Sequence, residues 1–152
     1  MPSHHERRDL QHSAKQMYDL VADVRRYPEF LPWVSAIRVR KDYETEMLAD
    51  MIVGFKSIKE TFSSRVVKTP YSSIIVDYLD GPMKHLNNRW SFEDLPTGGC
   101  TIEFSVDFTF RNPIFEALAG QFFESALRKM TGAFITRANN LYGDGGNNIL
   151  SA

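Results

Sequence analysis

The stretch "TIEFSVDFTFRNP", Thr101 to Pro113, sets the architecture of the chain. Ile102, Phe104, Val106, Phe108 and Phe110 alternate with Glu103, Ser105, Asp107, Thr109 and Arg111. That period of two predicts a strand with one apolar and one wet face. Asn112-Pro113 then puts a capping side chain ahead of a proline at the first helical position. No proline follows, and Phe115, Leu118, Phe122, Leu127, Met130, Phe134 and Leu141 recur close to helical spacing before Gly143. The pattern predicts one helix from Pro113 to about Tyr142, on the order of 40 Å long, enough to cross a whole sheet.

Upstream, the same two-residue period repeats. "EMLADMIVGF" places Met47, Ala49, Met51, Val53 and Phe55 on one side, and "IKETFSSRVV" does so for Ile58, Phe62 and Val66. "SSIIVDYL" is a third β-rich run, ended by the turn signal Asp80-Gly81-Pro82. "HLNNRWSFEDL" sets Leu86, Asn88, Trp90 and Phe92 against His85, Asn87, Arg89, Ser91 and Glu93. At the start, Ser3 to Gln11 reads as a short polar strand, and Ser13 with Gln16 as a capping box opening a helix through about Arg25. Met17, Val21 and Val24 form its apolar face, with Tyr18, Leu20 and Ala22 beside them. In "DVRRYPEFLPWV", Asp23 to Val34, Pro28 and Pro32 forbid a long helix or an inner strand, leaving a short turn.

The order is strand, helix, short helix, meander and long helix: an α+β arrangement in which a curved antiparallel sheet of six to seven strands wraps a C-terminal helix. Twisted sheets seldom close completely on such a helix, so an apolar gap is expected where the two splay apart. Residues 1–143 read as a single domain and 144–152 as a glycine- and asparagine-rich tail. The chain has 152 residues, 43% hydrophobic and 24% charged, with a net charge of -1. This balance provides no general drive toward nucleic acid, and no DNA partner is expected. The lone Cys100 cannot form an internal disulfide, and the polar start "MPSHHERRDL" lacks a secretory pattern, so a reducing, cytoplasmic setting is expected.

Five blocks in order, "ADVRRYPEFLPWV", "ADMIVGFKSIKETFSSRV", "DGPMKHLNNRWSF", "VDFTFRNP" and "AFITRANNLYG", resemble the coenzyme Q-binding proteins. These are START-like, helix-grip proteins of the polyketide cyclase/dehydrase and lipid-transport group. The match runs from about Arg7 to Gly143; Met83 departs from it, standing where an aromatic is usual. The resemblance implies a hydrophobic tunnel between helix and sheet that holds ubiquinone or a similar isoprenoid lipid, with no other cofactor required. The start shows no transit-peptide pattern, so a bacterial protein is expected, cytoplasmic or peripheral to the inner membrane, acting as a monomer or weak dimer. Bacterial relatives are also described as ribosome association toxins, so a ribosome partner is the alternative. A cyclase- or dehydrase-type enzyme is the third reading.

The candidate ligand-binding residues are Tyr27, Phe30, Leu31 and Trp33 as a lip, with Met51, Phe62, Asn88, Trp90, Phe92, Phe104, Val106, Phe122 and Met130 as wall. Tunnel wall and packed core look alike in sequence, but 11 Phe, 6 Met and 2 Trp are a generous stock of large apolar side chains. Methionine suits a wall that must adapt to a flexible chain, and Met47 is a further candidate. Asn88 is the sharpest of the set. On the apolar side of its strand an unpaired amide costs ~1–3 kcal/mol, so it bonds either to backbone or to a polar group in the cavity. Catalysis draws little from the sequence: it has no G-x-S-x-G elbow, phosphate loop or metal-helix motif. His4, His5 and His12 lack metal-ligand spacing, His85 falls on the wet face, and Glu44 with Glu46 is placed in a loop. Asp50 and Asp77 are read as facing solvent. Arg25, Arg26, Arg38, Arg40, Lys41, Lys56 and Lys59 read as scattered solvated charge; gathered beside Phe30 and Trp33 they would instead suit anionic headgroups or ribosomal RNA.

Overall fold

The computed structural model describes residues 3–55 and 58–143, without the side chains at positions 55, 58, 119 and 122–124. Strand β1 (Ser3–Leu10) leads into helix α1 (Ala14–Ala22) and a 3-10 segment (Val24–Glu29). Six strands follow: β2 (Val34–Asp42), β3 (Glu46–Phe55), β4 (Ile58–Thr69), β5 (Ser73–Asp80), β6 (Met83–Asp94) and β7 (Cys100–Phe110). Helix α2 (Pro113–Tyr142) ends the described chain. The strands form one antiparallel sheet in the order β1-β7-β6-β5-β4-β3-β2, a meander whose last strand is joined by the first. This is the α+β arrangement expected from the periodicity, and the helix-grip fold that the resemblance implies. The expected tail, residues 144–152, lies outside the described residues, as do Lys56 and the side chains of Phe55 and Ile58.

Local chemistry accounts for the element ends. Gln16 N donates to Ser13 Oγ at 3.1 Å and Ser13 N to Gln16 Oε1 at 2.9 Å, completing the capping box. Asn112 Oδ1 accepts from Ile114 N at 2.8 Å and caps α2 ahead of Pro113. The first helix is shorter than expected: it stops at Ala22, and the chain tightens into the 3-10 segment instead of continuing to Arg25. Pro28, which has no N–H to give, is accommodated inside that 3-10 segment. Glu46 also corrects the loop assignment: it opens β3 and meets Arg65 Nε at 3.0 Å.

Strand β2 is an addition the two-residue pattern did not show. Its pairing with β3 slips between Val34 and Ala36 and again between Val39 and Lys41. Each slip exchanges the faces of the residues beyond it, so no single alternation spans the strand. At the opposite edge, β1 is pinned to β7 by Thr101 Oγ1 donating to Asp9 Oδ1 at 2.6 Å. Gly99 is required there, since a Cβ would fall 2.0 Å from the Leu10 carbonyl oxygen.

Helix α2 packs on α1 and β7, over one side of the concave face. There the core is tight: Met17, Cys100 and Ala138 are fully buried, with Val21, Ile102 and Phe134 beside them. Toward β2, β3 and β4 the helix stands off the sheet, and the interior opens.

Candidate functional site

The opening is a cavity of about 260 Å³ between sheet and helices. Register explains its floor. One cross-strand row is Ile37, Met51 and Phe62; a second is Met47, Val66, Val76, Asn88 and Val106; a third is Ile74, Trp90 and Phe104. All point to the concave face because side chains two apart along a strand share a side. The roof comes from Val24, Tyr27 and Leu31 around the 3-10 segment, Val21 of α1, and Leu127, Met130 and Phe134 of α2.

The inner end is an aromatic cluster. Ring centroids of Trp90 and Phe104 lie 4.6 Å apart, Trp90 and Phe134 5.2 Å, and Tyr27 and Phe134 5.4 Å. The two contacts of Phe134 are edge-to-face, a favourable geometry at these distances, and Trp90 is tilted on Phe104. The Tyr27 hydroxyl donates to the Val21 carbonyl, and burial pushes its phenol well above the usual range. It is therefore neutral and already committed to a backbone partner. The remaining polar side chains of the wall are Ser64 and Asn88. Among the described residues, no carboxylate, imidazole or basic group lines the cavity. Among the described residues, no group of three or more His, Cys, Asp or Glu is placed to hold a metal ion.

Ten of the sequence candidates stand on this wall: Tyr27, Leu31, Trp33, Met51, Phe62, Asn88, Trp90, Phe104, Val106 and Met130. Phe30 and Phe92 do not. Phe30 is turned toward α2, against Phe134 at 5.2 Å and beneath the Arg137 guanidinium at 5.3 Å. Phe92 lies under α1, edge-on to Tyr18 at 5.8 Å, on the packed side. Met47 is core, 1% exposed. The Phe122 side chain is outside the described residues. Sequence reasoning missed Ser64, Phe134 and Leu127 as wall residues. Phe134 and Leu127 share the helical spacing of Met130, and Ser64 sits at the inward phase between Phe62 and Val66, the same signal that singled out Asn88.

Several of the basic residues near the lip pair with local carboxylates. Arg25 and Lys68 both reach Asp42, at 2.9 and 2.8 Å, and Arg26 reaches Asp23 at 3.2 Å and Glu29 at 3.5 Å. Hydrogen bonding from Lys68, then Arg25, holds the Asp42 carboxyl below its ordinary value. Arg40 and Ser63 meet Asp50, and Arg65 meets Asp77, so these two aspartates are partnered rather than merely solvated. His85 lies on the outer face beside Asp107, at 2.7 Å. His12 is buried with its Nε2 2.8 Å from Asn139 Oδ1, tying the α1 entrance to the end of α2. Among the described residues, no helix is long and apolar enough to cross a membrane.

Comparison with known proteins follows this geometry. The family described as "Polyketide cyclase / dehydrase and lipid transport" matches residues 10–135. The ribosome association toxin RatA of Pseudomonas aeruginosa is 38% identical over 134 residues, 88% of this chain and 93% of that protein. The mitochondrial coenzyme Q-binding protein COQ10 homolog B of Xenopus laevis is 33% identical over 135 residues, 86% of this chain and 55% of that protein. Among solved structures, the Zhui aromatase/cyclase of Streptomyces sp. R1128 superposes with a TM-score of 0.79 at 15% identity, covering 91% of this chain and 93% of that one. At that identity the likeness is one of fold alone.

Proposed function

The chain belongs to the polyketide cyclase / dehydrase and lipid transport family, and from that premise we propose that it binds an apolar, ubiquinone-like isoprenoid in its cavity without transforming it. The observation that carries this reading is the cavity itself: about 260 Å³, walled by aromatic and aliphatic side chains, with Ser64 and Asn88 among its few polar side chains. Burying an apolar group there contributes ~25 cal/mol per Å² removed from water. The volume falls just below the usual range of ligand pockets, roughly 300–1,000 Å³, so it encloses a ring or a short piece of tail rather than a long isoprenoid. The rest of such a molecule would run out of the cavity. Among the described residues the wall brings no ionisable groups together, which favours carriage over cyclase chemistry, since that needs a positioned acid or base.

The test is organic extraction of the purified protein with mass spectrometry of the extract, followed by titration of the emptied protein with a short-tail ubiquinone. Recovery of an isoprenoid and saturable uptake are expected; an empty extract together with no uptake would overturn the reading.

A second reading is association with the ribosome. It is favoured by the 38% identity to RatA across nearly the whole of both chains. Arg25, Arg26 and Arg40 near the lip are engaged with acidic neighbours. Sucrose-gradient profiles after overproduction separate the two readings, and unchanged 70S and free-subunit peaks would remove this one.

A further inference from the structure

The wall of the cavity is not uniformly apolar, and its two exceptions differ from every neighbouring polar side chain. Ser63 Oγ donates to Asp50 at 2.8 Å, and the Tyr78 hydroxyl accepts from Met83 N at 2.9 Å. Thr131 Oγ1 donates to the Leu127 carbonyl at 3.0 Å. By contrast, among the hydrogen bonds of the described residues none engages Ser64 Oγ or Asn88 Oδ1. From these positions we infer that the cavity selects a ring-sized apolar ligand bearing oxygen at opposite ends, at least one a hydroxyl, held between Asn88 and Ser64. This rests on the cavity being a ligand site, as proposed above.

Asn88 carries the hydroxyl preference. Its Nδ2 donates to the Ser105 carbonyl at 3.0 Å. A carbonyl can only accept, so the amide stands one way round, and its oxygen remains the acceptor presented by the wall. A hydrocarbon leaves that oxygen unsatisfied, at a desolvation cost. A ligand carbonyl can meet the remaining Nδ2 hydrogen but not the oxygen. A hydroxyl donates to Oδ1 and still accepts, so it satisfies both.

Ser64 supplies the second anchor. The β4–β5 ladder slips at this point, pairing Ser63 with Asp80 but Ser64 with Tyr78. The extra residue on β5 is a bulge, a device that re-aims side chains beside binding sites. Ser64 and Asn88 lie two strands apart and one two-residue step out of line. That is roughly 10 Å across the sheet and 7 Å along it between backbones. Inward-pointing side chains on a concave sheet shorten the gap, leaving room for one ring between them.

Naphthalene, 2-naphthol and 2,6-dihydroxynaphthalene test this on the full-length protein, since they share one shape and differ by one hydroxyl at each end. Fluorescence titration should show affinity rising about fivefold per hydroxyl, the effect of one net hydrogen bond. Ser64→Ala should erase the gain from the second hydroxyl, and Asn88→Ala the gain from the first, with circular dichroism confirming each fold. If Asn88→Ala unfolds, Ser64→Ala alone decides. Equal binding of all three probes, or gains that survive both substitutions, would overturn the inference while leaving an apolar cavity intact. No binding of any probe would overturn the ligand-site reading along with it.

Discussion

Cys100 is fully buried at the start of β7, and burial, reinforced by Asp94 and Asp9, raises its thiol to about 11 from an ordinary 9.0. Only the thiolate reacts with alkylating agents, so a rise of this size lowers the reactive fraction roughly 100-fold. The folded chain should therefore resist iodoacetamide at pH 8, reacting at a rate at least ~100-fold below that of the urea-unfolded chain. Because the chain has one cysteine, the measurement reads a single site. The same shift works against the fold at high pH. The unfolded thiol loses its proton near 9 and the folded one near 11, so stability falls as pH rises through that window. Rapid labelling of the native protein would show that this corner opens. Asn88 and Ser64 make the complementary point at this scale. Both stand at an inward phase among apolar neighbours, and that misfit is legible in sequence. Whether the misfit is satisfied is not, because the Ser105 carbonyl that takes the Asn88 amide belongs to another strand.

Among the elements, the segment from the 3-10 turn into β2 shows how one stretch divides between packing and site. Phe30 faces α2, against Phe134 and under Arg137, while Arg137 also pairs with Glu29. Trp33 lines the cavity, and its carbonyl accepts from Gly54 N at 2.8 Å, which ties the lip to β3. Phe30→Ala should then cost stability, roughly 2 kcal/mol for a partly buried ring, and leave uptake of an apolar probe nearly unchanged. Trp33→Ala should do the opposite, weakening uptake several-fold with a smaller shift in the urea midpoint. Urea melts and probe titration on both variants check this; equal losses in both measures would mean that the lip acts as one unit. Sequence pattern treated Phe30 and Trp33 alike, since both are aromatics within two residues of Pro32. Their separation follows from the turn geometry that Pro28 forces, and turn geometry is weakly encoded by apolar spacing.

At the scale of the molecule, the interior has a packed half and an open half. Met17, Cys100 and Ala138 fill the space beneath α1 and α2, whereas Met51, Phe62 and Val53 face the cavity. The strand alternation, the Asn112-Pro113 cap and the capping box at Ser13 were all readable directly, because each is a contact between near neighbours or a period repeated along one element. They determined the α+β class, the strand faces and the bounds of α2 before any coordinates. Tertiary structure alone decided the rest: that β1 closes the sheet beside β7, that slipped β2 forms the far edge, and that Phe92 is core while Phe104 is wall. Those outcomes depend on where α2 comes to rest over the sheet. A side chain's phase along its strand states which face it is on, but only the placement of the opposing helix determines whether that face meets another side chain or an empty space.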